Sequence, residues 1–162
     1  EVWALTRDLA HALKACHDLD VVHRDLSPSN VRRLDNGKYV LMDPGLARHL
    51  QRTALTGAGV LGTPGFQSPE HVGTTGCTPA SDVFALGILA YYALTTKFPI
   101  DPSDRDYEKR LATTDVPSIR SLRDDISGSL AEIVDRCLKR QPARRFLDGN
   151  ELIQELINLG RM

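Results

Sequence analysis

Cysteine is scarce in this sequence of 162 residues, which contains only Cys16, Cys77 and Cys137. An odd number of widely spaced cysteines, without a histidine partner nearby, argues against a disulfide framework or a zinc site. We therefore expect buried free thiols in a reducing compartment.

Long hydrophobic stretches are also lacking. The longest apolar run, residues 83–94, is too short to span a bilayer and is interrupted by Gly87. Residues 1–20 carry charges and have no apolar segment of the kind found in secretory signal peptides. These features predict a cytoplasmic protein with no membrane segment in this chain.

The chain has almost no net charge, because 20 basic residues face 21 acidic residues and leave a formal net charge of −1. No global field therefore favours nucleic acid or an anionic membrane as a partner. With 41% hydrophobic and 25% charged residues, the composition is typical of one compact globular domain with a real core.

Apolar periodicity predicts a mainly helical fold. Helical spacing of apolar residues recurs at residues 3–16, 79–95, 130–138 and 152–157, and the first, third and fourth of these stretches are amphipathic. The second stretch follows Thr78 and Pro79, a helix-start signature, and is apolar on nearly every face, which predicts a buried central helix. Asp148 and Glu151 are spaced as in a capping box, and a short helix is expected at about 104–113.

The β structure should be small. Val21-Val22 predicts a short extended piece, and residues 31–34 and 38–41 flank Asp35-Asn36-Gly37, a turn that favours a hairpin. Residues 44–76 are rich in Gly, Thr and Pro without periodicity, and loops this long are usually functional or disordered. The sequence therefore predicts an α+β, mainly helical fold.

The most informative motif is the segment His23-Arg24-Asp25-Leu26-Ser27-Pro28-Ser29-Asn30, which is followed by Asp43-Pro44-Gly45. Transfer of a γ-phosphoryl group mainly requires that charge be neutralised and the nucleophile be aimed. Asp25 can serve as base or aiming group, while Asn30 and Asp43 offer oxygen ligands for Mg²⁺. Single Asp and Asn residues in loops are more often turn residues, but the combination favours phosphoryl transfer.

The order of the motifs along the chain resembles that in the C-terminal lobe of protein kinases of the eukaryotic-like serine/threonine class, which occurs also in bacteria. Residues 23–30 match the catalytic loop, and Asp43-Pro44-Gly45 stands where the family has Asp-Phe-Gly. Ser68-Pro69-Glu70 stands where the family has Ala-Pro-Glu, and Arg145 matches the arginine that pairs with that glutamate. The resemblance covers residues 1–162, with a catalytic loop at 23–30, an activation segment at 43–70 and a central helix at about 79–95.

The resemblance implies transfer of the γ-phosphoryl group of ATP to Ser or Thr hydroxyls of protein substrates, with Mg²⁺, or Mn²⁺, as the metal. Asp25 and Asn30 would be catalytic, with Asp25 orienting the acceptor hydroxyl. Asn30 and Asp43 would bind the metal, and both would hold the nucleotide together with Arg32.

Arg24 would form a pocket for a phosphate on the activation segment, because a phosphothreonine gives an arginine charge-assisted partners. Thr56 is the first candidate for that phosphothreonine and Thr53 the second, with solvated loop threonines as a nearly equal alternative. Thr63, in Gly62-Thr63, is expected to bond near Asp25 rather than to be phosphorylated.

Other matching residues are expected to support the structure. Asp82 would hydrogen-bond the backbone of the catalytic loop, although it also fits a first-turn acid stabilised by the helix dipole. Glu70 would pair with Arg145, and His23 would support the loop from within.

Four residues depart from the kinase pattern, and one of them, Phe66 in place of the more usual tyrosine, is a mild change. Ser27 replaces the lysine two residues after the catalytic aspartate, so the rate should suffer unless another cation compensates. Pro44 replaces the Phe that packs against the other lobe. Arg32 stands where an aliphatic side chain usually lies beneath the adenine, on which a guanidinium could instead stack.

Neither a Gly-x-Gly-x-x-Gly loop nor a Val-Ala-x-Lys strand precedes the catalytic loop in this sequence. The resemblance therefore predicts that this chain is a kinase fragment, or the product of a truncated gene, and that it lacks the N-terminal lobe. A parent protein would supply that lobe. Two alternatives remain open, namely a non-catalytic pseudokinase-like interaction module and a small-molecule kinase of the aminoglycoside type.

Overall fold

The computed structural model describes residues 1–43, 48–49, 62–72 and 76–160. In these residues the chain forms six α-helices: α1 Val2–His17, α2 Pro69–Val72, α3 Pro79–Thr95, α4 Tyr107–Thr113, α5 Gly128–Cys137 and α6 Gly149–Asn158. Its strands are β1 Val21–Val22, β2 Val31–Arg33, β3 Tyr39–Leu41 and β4 Arg48–His49. Short 3₁₀ turns lie at Pro28–Asn30, Ile119–Ser121 and Pro142–Arg144. The predicted mainly helical α+β fold is confirmed.

Helix α3 is the centre of the core. Its residues from Ala80 to Tyr91 are all buried, as expected for a helix that is apolar on nearly every face. Gly87 allows α5 to approach closely, since a Cβ atom at that position would lie 2.7 Å from Cβ of Cys137. In the described part of the chain, no helix is both long and apolar enough to cross a membrane.

Helices α1 and α6 pack against each other and complete the core around α3. The buried face of α1 consists of Leu5, Thr6, Leu9, Ala10 and Leu13. A Cβ atom on Gly149, the first residue of α6, would collide with the backbone of Lys14, so the glycine permits the two helices to touch. Asp148 caps α6 by accepting a hydrogen bond from the Glu151 amide at 2.8 Å.

The two small sheets flank the loop of residues 23–30. In the predicted hairpin, β2 pairs antiparallel with β3, and Val31 lies opposite Leu41. Asp8 of α1 anchors this hairpin, because its carboxylate accepts a hydrogen bond from the Tyr39 amide at 2.9 Å. Burial opposes ionisation of Asp8, but the bonds from Tyr39 and Arg7 outweigh it and lower the pKa.

The structure adds two short elements to the segment 44–76, which the sequence predicts to be a loop, because its described residues include β4 and α2. Strand β4 pairs antiparallel with β1, with Val21 opposite His49. A two-residue strand and a four-residue helix are too short to show periodicity, and their formation depends on the partners they meet in the fold.

The three cysteines are free thiols, but only Cys137 is fully buried, while Cys16 and Cys77 are half-buried. Burial raises the pKa of Cys77 to about 11 and that of Cys137 to about 12. Both thiols are therefore protonated and unreactive near neutral pH.

Candidate active site

The loop between β1 and β2 is held by a carboxylate from the central helix. Asp82 lies in the first turn of α3 and is 1% exposed. Its Oδ2 atom accepts a hydrogen bond from the His23 amide at 2.8 Å, and its Oδ1 atom accepts one from the Arg24 amide at 2.9 Å. Arg24 has a φ of +70°, a strained conformation for a side-chain-bearing residue. The charge-assisted bonds to Asp82 stabilise this strained turn.

His17 links Asp82 to the start of α6. Its Nδ1 atom accepts a hydrogen bond from the Gly149 amide at 3.0 Å, which places the ring proton of a neutral imidazole on Nε2. Nε2 lies 3.0 Å from Oδ2 of Asp82 and donates to it. The start of α6 is therefore connected to the backbone of His23 and Arg24 through His17 and Asp82. Sequence analysis missed His17, since a histidine at the end of an amphipathic helix has no distinguishing spacing.

The carboxylate of Asp25 is oriented from both sides. Oδ1 accepts hydrogen bonds from the Thr63 amide at 2.9 Å and from the Thr63 hydroxyl at 2.8 Å. Oδ2 accepts a bond from Nδ2 of Asn30 at 2.9 Å, and the same Nδ2 also donates to the Asp25 carbonyl oxygen at 2.8 Å. The three residues are therefore brought together, with the Asp25 side chain held in a defined direction.

Asp43 is carried to the same place by β3. The Met42 amide donates a hydrogen bond to the Asn30 carbonyl oxygen at 2.7 Å, so Asp43 follows directly after a residue bonded to Asn30. Nε2 of His23 lies 3.3 Å from the Met42 carbonyl oxygen and supports the same junction. Asp43 is exposed and has a φ of +50°, in the left-handed region that aspartate adopts more readily than most residues.

The donor atoms at this junction fit a hard divalent cation. Nδ2 of Asn30 is engaged with Asp25, which leaves the amide oxygen Oδ1 as the atom suited to a metal. Oδ1 of Asn30 and the carboxylate of Asp43 are the oxygen ligands that Mg²⁺ prefers. No cluster of three His, Cys, Asp or Glu side chains suited to a metal occurs among the described residues. A cation held by Asn30 and Asp43 would complete its shell with water and substrate oxygens, as Mg²⁺ usually does.

The Nε atom of Arg24, the residue expected to receive a phosphate on the activation segment, is buried and has no hydrogen-bond partner among the described residues. Burial lowers the pKa of His71, whose ring feels the charges of Asp82 and Arg24, so this histidine is neutral near pH 7. The candidates Thr53 and Thr56, like Pro44, lie outside the described residues.

Ser27 and Arg32, two of the residues that depart from the kinase pattern, both lie among the described residues. The Ser27 side chain is fully buried, and its Oγ atom lies 2.8 Å from Oγ of Ser29. The hydroxyl is thus tied into the loop itself and replaces the expected lysine with a local hydrogen bond. Arg32 is exposed on β2, opposite Val40 of the hairpin.

Glu70 and Arg145 form a buried bidentate ion pair. Nη1 of Arg145 donates to Oε1 of Glu70 at 2.6 Å, and Nη2 donates to Oε2 at 2.9 Å. The remaining guanidinium hydrogens reach three backbone carbonyl oxygens, those of Lys139, Ala80 and Arg140. All five donors of a guanidinium are thereby used, and Ser81 adds a hydrogen bond to Glu70 at 2.7 Å.

This ion pair predicts a pH-dependent stability. Burial opposes ionisation of Glu70, but the bonds and charge of Arg145 outweigh it and lower its pKa below the ordinary 4.5. A carboxyl with a lowered folded pKa contributes stability that is complete above its unfolded pKa and is lost as the pH falls through the folded value. The free-energy difference between wild type and Glu70→Gln, from urea unfolding, should therefore be largest near pH 7 and shrink below about pH 4.5. A difference that stays constant from pH 7 to pH 3 would contradict the role of the Glu70 charge.

Comparison of the sequence with known protein families identifies the family of this chain. The family model described as the protein kinase domain matches residues 1–156 of the 162 in the chain. The chain belongs to the protein kinase family. This membership confirms the resemblance that the motifs indicated and argues against a small-molecule kinase of the aminoglycoside type.

Several bacterial protein kinases are similar to this chain. A serine/threonine-protein kinase drp72 of Corynebacterium efficiens is 35% identical over 145 residues, covering 88% of this chain and 27% of the relative. Serine/threonine-protein kinase PknL of Mycobacterium tuberculosis is 36% identical over 151 residues, covering 91% of this chain and 38% of PknL. PknA of Corynebacterium glutamicum is 33% identical over 144 residues, covering 88% of the chain and 30% of PknA.

The chain thus spans less than two-fifths of the length of these relatives. All three are named serine/threonine-protein kinases, which does not favour the pseudokinase interpretation. In the part of the kinase fold that the structure describes, Asp25, Asn30 and Thr63 form one hydrogen-bonded network, and the residue before Asp43 is bonded to Asn30.

Proposed function

We propose that the protein containing this chain is a serine/threonine kinase that transfers the γ-phosphoryl group of ATP to hydroxyls of protein substrates. The observation that carries the proposal is the orientation of Asp25, whose two carboxylate oxygens are fixed by Thr63 and Asn30. An oriented carboxylate beside oxygen ligands for a metal is the arrangement that aims a hydroxyl at a phosphate. The kinase names of the relatives support the same reaction.

In this proposal each residue has a separate task. Asp25 accepts a hydrogen bond from the acceptor hydroxyl and points its oxygen toward the phosphorus. Asn30 and Asp43 would hold Mg²⁺, which would supply neutralisation of charge on the phosphate oxygens. Asp82 keeps the loop in place from beneath, so the position of Asp25 is defined before substrate binds.

The remaining elements of the proposal concern partners and location. Exposed Arg32 would stack its guanidinium on the adenine, and the complete protein would supply a further lobe over the phosphates. Arg24 would receive a phosphate on Thr56 or Thr53, a role supported by its buried Nε without a partner in the described residues. A cytoplasmic location is supported by the three free cysteines.

The metal assignment can be tested with the full-length protein. We expect Asp43→Asn to raise the Mg²⁺ concentration needed for half-maximal phosphoryl transfer by about tenfold or more, because a neutral amide is a weaker ligand than a carboxylate. The assay follows radiolabelled phosphate from γ-labelled ATP, and phosphoamino-acid analysis should find phosphoserine and phosphothreonine.

The control is Asp35→Asn, the same chemical change in the exposed hairpin turn. This variant should have the Mg²⁺ dependence of the wild type. If Asp43→Asn and Asp35→Asn respond to Mg²⁺ identically, Asp43 does not hold the metal. Absence of phosphoserine and phosphothreonine among the products of the wild type would contradict the proposed function itself.

A further inference from the structure

The turn at residues 63–66 joins the Asp25 carboxylate to helix α4. At its first residue, Thr63 contacts Asp25 through both its amide and its hydroxyl. The turn is closed by a hydrogen bond from the Phe66 amide to the Thr63 carbonyl oxygen at 3.1 Å. Between these residues, the Gly65 amide donates to the hydroxyl oxygen of Tyr107, the first residue of α4, at 3.2 Å.

The far end of this turn is fixed by packing as well as by the hydrogen bond. Gly65 has a φ of +90°, and a Cβ atom there would lie 2.7 Å from the Phe98 ring. The Phe66 ring is buried and meets the Phe98 ring edge-on, with ring centroids 5.4 Å apart. Tyr107 is itself buried, so its hydroxyl satisfies a Gly65 amide that has lost its access to water.

We propose that Tyr107 is a positioning residue for the protein substrate, because its hydroxyl holds the 63–66 turn in the place where the polypeptide around the acceptor hydroxyl must pass. This inference rests on the proposed function of Asp25. A hydroxyl aimed by Asp25 lies next to Thr63, and the exposed Pro64 follows directly along the chain. The segment of substrate that flanks the hydroxyl therefore meets this turn first.

Tyr107 and Thr63 have different effects on the reaction in this account. Thr63 touches Asp25 directly, so its bonds survive when the hydroxyl of Tyr107 is removed. Loss of the Tyr107 hydroxyl removes the hydrogen bond and leaves only packing to hold the Gly65 end of the turn, so part of its order must be restored each time a substrate binds. The cost falls on substrate binding and not on the transfer step.

The test uses Tyr107→Phe in the full-length protein, with dephosphorylated casein as the phosphoacceptor. We expect KM for casein to rise at least about fivefold, since a buried amide loses its acceptor, while kcat and KM for ATP stay within about twofold. Hydrogen exchange of the Gly65 amide should also become faster. The independent variant Gly65→Ala, which brings a methyl group against Phe98, should raise the same KM.

The matched control is Tyr91→Phe, which removes the same atom from another buried tyrosine whose charged neighbour is Asp135 of α5. Equal KM values for casein in Tyr107→Phe and Tyr91→Phe would overturn the inference, as would a fall in kcat without a change in KM. If the wild type transfers no phosphate to casein, the proposed function fails, and binding of fluorescently labelled casein then decides the role of Tyr107. Weaker binding by Tyr107→Phe than by Tyr91→Phe supports that role, and equal binding overturns it.

Discussion

Arg145→Met should destabilise the fold by about 3–5 kcal/mol, the cost of leaving one partner of a buried ion pair behind. Arg145 is 1% exposed and uses all its donors on Glu70 and three backbone carbonyl oxygens. The methionine fills much of the space but donates no hydrogen bond. Urea unfolding of the full-length protein at pH 7 should report the loss as a lower midpoint.

Arg136 provides a closely matched control for this measurement. Its guanidinium stacks over the Phe146 ring at 3.9 Å and pairs with Glu151, but its side chain is 39% exposed. Because water already solvates that pair, Arg136→Met should cost about 1 kcal/mol or less. Equal losses of unfolding free energy for Arg145→Met and Arg136→Met would show that burial of the Glu70–Arg145 pair does not determine its contribution to stability.

A double variant separates the charge from the packing. Replacing both partners, with Arg145→Met and Glu70→Leu, removes the unpaired carboxylate that the single variant leaves in the core. We expect the double variant to recover part of the lost stability, as apolar replacement of buried ion pairs often does. If the double variant recovers no stability, the loss comes from the three backbone carbonyl oxygens that no longer accept a hydrogen bond from Arg145.

Helix positions were predictable from sequence because the apolar residues that pack into the core recur at helical spacing. The Thr78-Pro79 start and the apolar faces of α3 locate that helix to within a residue or two of its observed bounds. The Asp148 cap was also correct, although the Glu151 side chain accepts from the Leu147 amide and not from Asp148. Strand β4 was not predictable, since its two residues owe their conformation to pairing with β1.

The site was only partly predictable for a related reason. A motif names residue types at fixed spacing, which suffices for Asp25 and Asn30 because they lie five residues apart on one loop. His17 and Tyr107 reach the site from α1 and α4, and their contacts depend on where those helices pack. No local pattern in the sequence records such contacts.

Asp25→Asn should lower kcat for phosphoryl transfer by about 10²–10⁴-fold, the contribution typical of a general base or aiming carboxylate. The amide oxygen of the asparagine can still accept from Thr63, but its NH₂ group would then face the NH₂ group of Asn30. The variant therefore loses both the negative charge and the orientation of the side chain. Binding of Mg-ATP should change by less than about twofold, because Asn30 and Asp43 are retained.

The control for Asp25→Asn is Asp20→Asn, which makes the same change five residues upstream. Asp20 is exposed and has a φ of +56°, a conformation that asparagine adopts readily. We expect this variant to keep the kcat and the unfolding midpoint of the wild type, so that loss of a carboxylate near the loop is not by itself enough to slow transfer.

The single-turnover rate of phosphoryl transfer at saturating Mg-ATP tests the central claim most directly. It compares full-length wild type, Asp25→Asn and Asp20→Asn without contributions from product release. Our account predicts a rate at least about 10²-fold lower for Asp25→Asn alone, with equal nucleotide affinity in all three proteins. Equal transfer rates for wild type and Asp25→Asn would contradict the assignment of this loop as the site of phosphoryl transfer.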